Sequence, residues 1–490
     1  MKHDPTSVTR APTPQSPSRA NRAKNAEPTA ALSAEDDLGG DAVELHPYAA
    51  RVLADLSARY WWEREFLAAV EEVFISLTPV LEQNPIYEAE LILERIVEPE
   101  RTISFRVAWL DDRNQIQVNR AWRVQWSSAL GPHKGGTRFH ASVTLDGLKF
   151  LAFEQTFKNS LTSLPLGSGK GGSDFSPRGR SHHEVMRFCQ AYMTELYRHI
   201  DPEVDVPAGD IGVGTREIGY LFGHYKRLTH RFNGVFTGKA HDWGGSLLRP
   251  EATGYGVAYF AQEMLAARGA SLEGKKVVVS GFGNVAWGLV KKVTELGGKV
   301  ITLSGPDGYV HDPEGVQGDK IDYLLTMRAS GNDRVQDYAE RFDVTFVEGR
   351  RPWEIPCDIA FPCAIQNELG LEDAKHLVSG GCRYLVEGAN MPTAADAITY
   401  LQDQGVVFVP GKAANAGGVA ASGLEMSQNG AREYWPSDEV DRRLRHIMAS
   451  IHREVASTAD HYGDPGNYLA GANICGFQKV ARAMIDQGVG

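Results

Sequence analysis

Three lysines stand in settings that ordinary surface lysines do not share. Lys134 lies in GPHKGGTRFH, Lys158 in EQTFKNS and Lys170 in PLGSGKGGSDF. A lysine hemmed by glycines sits where backbone can bend and a small molecule can approach. Gln155 precedes Lys158 by three positions, so both project from one helix face. Clustered ammonium groups depress one another's pKa, and burial adds to the effect. One such lysine can be neutral near pH 7 and act as a base, while the others stay cationic and bind anions. Two cations and one base suit a dicarboxylate, on the hypothesis that the three lysines meet in space. Asp210, in DVPAGDIGVGTREIG, has Pro207, Gly209, Gly212 and Gly214 around it and so belongs to an irregular loop. It is either a turn-stabilising carboxylate or a proton donor or acceptor facing the lysines. GSGKGG is not a nucleotide-triphosphate loop, because Leu164 and Gly171 occupy positions that such a loop reserves for Gly and for Ser or Thr.

A second motif follows in the later half. Val277–Ala286 reads VVVSGFGNVA, with Gly281, Gly283 and Ala286 in the spacing G-x-G-x-x-A. Gly281 permits the tight turn, Gly283 lets a pyrophosphate approach, and Ala286 allows close helix–strand packing. The helix N-terminus then offers N–H groups and positive dipole to phosphates. Asp307, 21 residues past Ala286, is the carboxylate expected to accept both ribose hydroxyls of NAD. No Arg or Lys lies between Ile301 and His311 to welcome the extra phosphate of NADP. Pro-Asp-Gly is also turn chemistry, so Asp307 has a structural reading beside the functional one.

The elements that position these groups can be read from periodicity. Residues 48–76 predict a helix, 102–110 and 116–126 a hairpin around Asp111–Gln115, and 146–160 and 181–200 two more helices. Ser181 and Glu184 form a capping box. After Arg249 the texture changes to helix 251–268, strand 276–280, helix 284–296 and strand 299–303. Further short apolar strands recur at 343–347, 358–361, 383–386 and 406–409, the sign of a parallel, doubly wound sheet. The expected fold is α/β with two domains. A substrate and oligomerisation domain with a mixed sheet spans 45–245 and is completed by a helix at 465–490. A Rossmann-type domain spans 246–430, and a helical connection spans 431–464.

Bulk properties narrow the class. The 490 residues carry a net charge of −11 at pH 7, which argues against a nucleic-acid partner. No apolar run is long enough to span a membrane. Five cysteines without a CxxC pair suit buried thiols in a cytoplasmic enzyme, and no metal site is expected. Residues 1–44 are rich in Pro, Ser, Thr and Ala and read as a disordered tail; they lack the apolar core of a secretory signal, and their prolines would break the helix of a transit peptide. All glycines except Gly39 and Gly40 lie from Gly131 onwards, which suggests loops that need backbone freedom.

The stretch Arg106–Glu217 resembles hexameric glutamate dehydrogenases of the amino-acid dehydrogenase superfamily. So do TGKAHDWGGSLLRPEATGYG, PCAIQNE, EGANMPT and AANAGGVAASGLEMSQN. The resemblance runs from about residue 47 to the C-terminus. It implies a cleft between the two domains and the NAD-dependent, reversible oxidation of L-glutamate to 2-oxoglutarate and ammonia. Lys134 and Ser422 would hold the side-chain carboxylate, and Gln155, Lys158 and the Gly209 backbone the α-carboxylate region. Lys170 would be the catalytic lysine and Asp210 its acid/base partner. Thr253, Asn284 and Asn390 would join Gly281, Gly283 and Asp307 at the dinucleotide. A homohexamer is implied as well. Ser168 and Thr215 depart from the family pattern, where Gly is usual. The alternatives are the same reaction with NADP(H), a dehydrogenase of an apolar amino acid, and a catalytically dead nucleotide sensor. An apolar substrate would leave Lys134 an unpaired buried cation, and a dead sensor would have no need of Lys170 and Asp210.

Overall fold

The structure is a computed structural model that describes residues 45–332 and 334–489. The expected tail, 1–44, lies outside the described residues. The first sheet has five strands: β1 Arg101–Leu110, β2 Ile116–Ser127, β3 His133–Phe139, β4 Ser168–Ser173 and β5 Asp205–Gly209, in the order β1-β2-β4-β3-β5. β1, β2 and β4 pair antiparallel, whereas β3 pairs parallel with β4 and β5, so the sheet is mixed as expected. The period of two decides which face each side chain takes. On β2, Trp122, Val124 and Trp126 enter one core and Ala121 enters the other.

Helices cover both faces of this sheet. They are α1 Pro47–Tyr60, α2 Arg64–Gln83, α3 Ile86–Ala89, α4 Ile92–Ile96, α5 Leu145–Leu161, α6 His182–Leu196 and α7 Thr215–Thr229. Phe66, Phe153 and Phe157 pack α2 and α5 under β2, while Phe188, Tyr192 and Leu221 bring α6 and α7 to the opposite face. The helix expected over 48–76 is two helices. The chain bends at Trp61–Glu63, and Glu63 turns back to pair with Lys149 on α5. The capping box forms as predicted: the Glu184 N–H donates to Ser181 Oγ (3.1 Å) and the Ser181 N–H donates to Glu184 Oε2 (3.0 Å).

The second sheet is fully parallel. Its strands are β6 Lys276–Val279, β7 Lys299–Val300, β11 Ile359–Phe361, β12 Tyr384–Val386 and β13 Val407–Val409, in the order β13-β12-β11-β6-β7. Between β7 and β11 run β8 Thr302–Gly305, β9 Gly308–His311 and β10 Thr345–Glu348, which form a separate antiparallel sheet. The strand expected near 343–347 therefore exists, but it is not part of the parallel sheet. The strand expected at 299–303 is divided between the two sheets. The helices here are α8 Ala252–Ala266, α9 Asn284–Glu295, α10 Asp319–Ser330, α11 Gln336–Phe342, α12 Leu371–Ser379, α13 Ala395–Asp403, α14 Gly411–Ala414, α15 Gly417–Ala431, α16 Ser437–His461 and α17 Tyr468–Gln487. α8, α9, α15 and α16 share one core, and α12 and α13 form a second on the other face. α17 returns to the first sheet's core through Ile474, Phe477 and Val480. No described helix is long and apolar enough to cross a membrane.

Candidate active site

The two glycine-flanked lysines are not in loops. Lys134 lies on β3 and Lys170 on β4, neighbouring parallel strands in the interior of the sheet. Their glycines serve close approach instead of turning. A Cβ on Gly135 would stand 1.6 Å from the Gly169 carbonyl oxygen. One on Gly136 would stand 2.9 Å from Asp210 Cβ and 3.4 Å from Lys170 Nζ. Any side chain at these positions would push the strands apart and fill the space in front of Lys170. Arg123 lies beneath, fully buried, forks onto Asp205 and donates to the Gly135 carbonyl at 3.2 Å. Ser168, the departure from the family pattern, exchanges a 2.6 Å hydrogen bond with Thr156 of α5 and so ties β4 to that helix. Thr215, the other departure, is the first residue of α7.

All three lysines meet. A cleft of about 350 Å³ is lined by Lys134, Lys158 and Lys170 with Gln155, Gly209, Asp210, Thr253, Asn390 and Ser422. Lys170 Nζ lies 3.1 Å from Asp210 Oδ2, and Arg138 Nε donates to the same oxygen at 2.8 Å. Burial alone would raise the Asp210 carboxyl, but Lys170 and Arg138 overcome it and hold the group at about 2. Asp210 is therefore ionised in this state. Lys170 is lowered, first by burial and then by Arg138, with Asp210 opposing. Burial and the neighbouring Lys170 push Lys158 down to about 8. Lys158 Nζ also donates to Asn390 Oδ1 across the cleft at 3.2 Å. Lys134 is 1% exposed and has no ion-pair or hydrogen-bond partner for Nζ among the described residues. Burial, Arg123 and Arg249 press its pKa well below the ordinary value.

The opposite wall consists of loops after the parallel strands: Val285, Ala364, Gly388 and Asn390 line the cleft, while Gly281, Gly283 and Asn284 lie next to them and Asp307 does not line it. Gly281 adopts φ +81°, a conformation that favours glycine, and its N–H donates to Ser304 Oγ at 2.8 Å. Gly283 caps α9, and a Cβ added there would meet nothing within 4 Å. The open space is where a pyrophosphate fits against the N–H groups of the first turn, beginning at Asn284. Asn415, which also lines the cleft, donates to the Gly388 and Ala389 carbonyls, while its buried Oδ1 has no partner. An amide group such as that of nicotinamide can satisfy this oxygen. The residues present therefore fit a dinucleotide.

Asp307 takes the turn-stabilising role. It sits in the turn between β8 and β9, and its two oxygens accept the Val335 and Gln336 N–H groups at 2.9 and 3.0 Å. It thus anchors the start of α11. Arg351, far away in sequence, donates to the Gly305 carbonyl at 3.1 Å. The fold thereby supplies a cation to a turn whose own sequence contains none.

Four functional groups escaped the sequence reading: Arg138, Arg249, Asn415 and Arg351. Arg138 lies inside the Lys134 motif, four residues along the same strand and so on the same face, a signal that was available. Arg249 lines the cleft, and its buried Nε has no hydrogen-bond partner. Nothing local distinguishes it from a surface arginine.

A mixed-sheet domain that faces a doubly wound dinucleotide domain across a lysine-rich cleft has the architecture of an amino-acid dehydrogenase. The chain belongs to the glutamate/leucine/phenylalanine/valine dehydrogenase family. The family model matches residues 244–488, and its companion, described as the dimerisation domain, matches 99–227. The chain is 55% identical to the "NAD-specific glutamate dehydrogenase" of Bacteroides fragilis, with 90% of this chain and 99% of that one covered. It is 57% identical to the "NADP-specific glutamate dehydrogenase" of Escherichia coli, with 87% and 95% covered. A solved "glutamate dehydrogenase" superposes with a TM-score of 0.90 at 54% identity, with 91% of this chain and all of that one covered.

Proposed function

We infer that this dehydrogenase acts on L-glutamate, in a reversible oxidative deamination that yields 2-oxoglutarate and ammonia with NAD(P). The observation that carries the reading is Lys134 with Arg249: a buried lysine and a half-buried arginine, neither of them paired among the described residues, in a cleft that already has Lys158 and Lys170. A buried cation without a partner costs several kcal/mol, roughly what a second substrate carboxylate returns. Binding that carboxylate favours the charged form of Lys134, against the burial that lowers its pKa. Ser422, on α15, lines the same part of the cleft and is assigned to this carboxylate. Gln155, Lys158 and the Gly209 backbone are assigned to the α-carboxylate.

Lys170 is the base. Once neutral, it takes a proton from the water that attacks the iminium carbon of the oxidised substrate. Its neutralisation removes one of the two cations on Asp210 Oδ2, so the carboxylate becomes more basic at that moment. Lys170 hands the proton it took from water to Asp210, which passes it to the departing amine and leaves Lys170 neutral again. A bound dinucleotide would supply the acceptor for the α-hydride. Thr253, Gly281, Gly283, Asn284 and Asn390 would hold it, with Asn415 at the carboxamide. Asp307 retains lone pairs for a ribose, which favours NAD, and Arg351 gives the phosphate of NADP a partner, so both coenzymes are turned over with NAD preferred. A cytoplasmic homohexamer is the assembly we assign. The match of 99–227 to a dimerisation domain supports association, and five buried free thiols suit a reducing compartment.

The test is turnover of the purified protein with 2-oxoglutarate, ammonium and either NADH or NADPH. Oxidation of the coenzyme only when both other substrates are present is expected. Faster turnover with an apolar 2-oxo acid would overturn the assignment to glutamate.

A further inference from the structure

Behind the catalytic lysines lies a second, smaller cavity of about 40 Å³, enough for one or two water-sized molecules. It shares Gln155, Lys158, Lys170 and Asn390 with the cleft. Its far side is different, for Glu72, Glu154 and Glu387 line it, with Lys412 and Thr393. Lys412 Nζ lies 2.8 Å from Glu72 and 3.2 Å from Glu154, and it donates to Asn473 Oδ1 at 2.8 Å. Lys412 comes from α14, and its partners come from α2, α5 and α17, so this cluster ties the two sheets together at the closed end of the cleft.

Glu387 has no cation. Its oxygens accept backbone N–H groups from Gly411 at 2.7 Å and Thr393 at 3.3 Å, and the Thr393 hydroxyl lies within reach of it. Burial pushes its carboxyl up to about 8. The Thr393 hydroxyl is 3% exposed and near Glu387, yet it makes no well-formed hydrogen bond. Lys412 reports the local field: burial would strip its proton, but Glu154 and Glu72 raise its pKa above the ordinary value. The chamber is thus acidic where the cleft is basic, and it contains a buried hydroxyl without a well-formed partner beside a carboxyl group that has no cation.

We propose that this chamber binds the ammonium ion of the reductive reaction, between Glu387, Glu154 and the Thr393 hydroxyl, and delivers ammonia to the cleft past Lys158 and Lys170. The proposal rests on the glutamate reading above. Ammonium is repelled by the lysine wall and is no nucleophile, because its nitrogen lone pair is held by a proton. The bound cation favours the ionised form of Glu387, whose own proton leaves to solvent; one N–H bond of the ammonium then breaks, its proton goes to a Glu387 oxygen, and the pair left on nitrogen makes neutral ammonia. No electrons change hands. Ammonia then crosses the short distance to the 2-oxo carbon without a charge for the lysines to repel.

The test has a kinetic arm and a direct one. In Thr393→Val and Glu387→Gln, the KM for ammonium should rise about tenfold, the value of one charge-assisted hydrogen bond. The KM values for 2-oxoglutarate and NADH should stay within about twofold, since neither group reaches those substrates. Crystals of the wild-type enzyme soaked in rubidium, an ammonium-sized cation, should show anomalous density in the chamber that is weakened in Thr393→Val. If Glu387→Gln does not fold, Thr393→Val carries the test alone. An unchanged ammonium KM in a folded variant overturns the proposal, and so does an equal rise in all three KM values. An empty chamber in the rubidium soak also overturns it. Wild-type turnover separates the two readings: none at all sinks the glutamate assignment, whereas normal turnover with an unmoved ammonium KM sinks only the chamber.

Discussion

The two walls of the cleft use glycine in opposite ways. On the substrate wall, Gly135, Gly136, Gly169 and Gly171 lie in extended strands, and their missing Cβ atoms let β3, β4, Asp210 and Arg123 crowd around Lys170. On the dinucleotide wall, Gly281 is needed for a left-handed backbone and Gly283 for open space in front of a helix. The first wall therefore has its chemistry in rigid strands, with charges whose pKa values are set by burial. The second has it in loops, with neutral N–H groups. The difference shows why substitutions on the first wall should damage catalysis, whereas those on the second should sort coenzymes.

The largest effect is expected from Lys170→Ala. Loss of a positioned base should lower kcat by about 10³-fold with NADH binding unchanged, measured by steady-state kinetics and a coenzyme titration. Near-normal kcat would break the contrast between the walls. Next, Lys134→Leu should cut kcat/KM for glutamate by roughly 10²-fold, the cost of breaking a desolvated charge pair, while activity on norleucine falls far less. Equal losses would remove Lys134 from recognition of the second carboxylate.

The pH profile tests the electrostatics of the same wall. The Asp210 carboxyl is held at about 2, so in the wild type it remains a carboxylate throughout the working range. A depressed carboxylate loses its charge only as pH falls through its own low pKa. In Arg138→Leu one of its two cations is gone, burial counts for more, and the acid limb of kcat/KM should move up by roughly 1–3 pH units. An unmoved limb would mean that Lys170 alone sets Asp210.

Smaller changes are expected on the dinucleotide wall. Arg351→Ala should lower kcat/KM for NADPH about tenfold and leave NADH within about twofold. Asp307→Ala should lower unfolding free energy by about 1–2 kcal/mol, because two N–H groups at the start of α11 lose their acceptor. A chemical denaturation curve would show it. If Asp307→Ala left stability intact and raised the KM for NADH, the ribose would be its sole partner.

Much of this arrangement was legible in the residues. The strand–glycine–helix grammar of 277–296, the hairpin around Asp111–Gln115 and the capping box at Ser181 are local patterns, and local patterns survive folding. The clustering of Lys134, Lys158 and Lys170 was only a hypothesis, because lysines tens of residues apart carry no sign of whether they meet. Lys158 lies on the expected helix, but the strands that carry Lys134 and Lys170 are not legible, since runs such as SGKGGS lack the β-branched residues that mark a strand. Pairing with β2 and β3 holds that segment extended against its own propensity.

The sequence by itself determined the kinds of group available: a dinucleotide turn, three unusual lysines, an aspartate among glycines and a chain of two α/β halves. It did so because turns, caps and periodicities are short-range properties. Only the tertiary structure decided which charges face one another. It brought Arg138 and Lys170 to one oxygen of Asp210, left Lys134 and Arg249 unpaired, and carried Arg351 to the turn at Gly305. It also placed Glu387 and Thr393 behind the lysines. The electrostatic energy of a pair depends on separation in space and on solvent exclusion, and neither quantity exists along a linear chain.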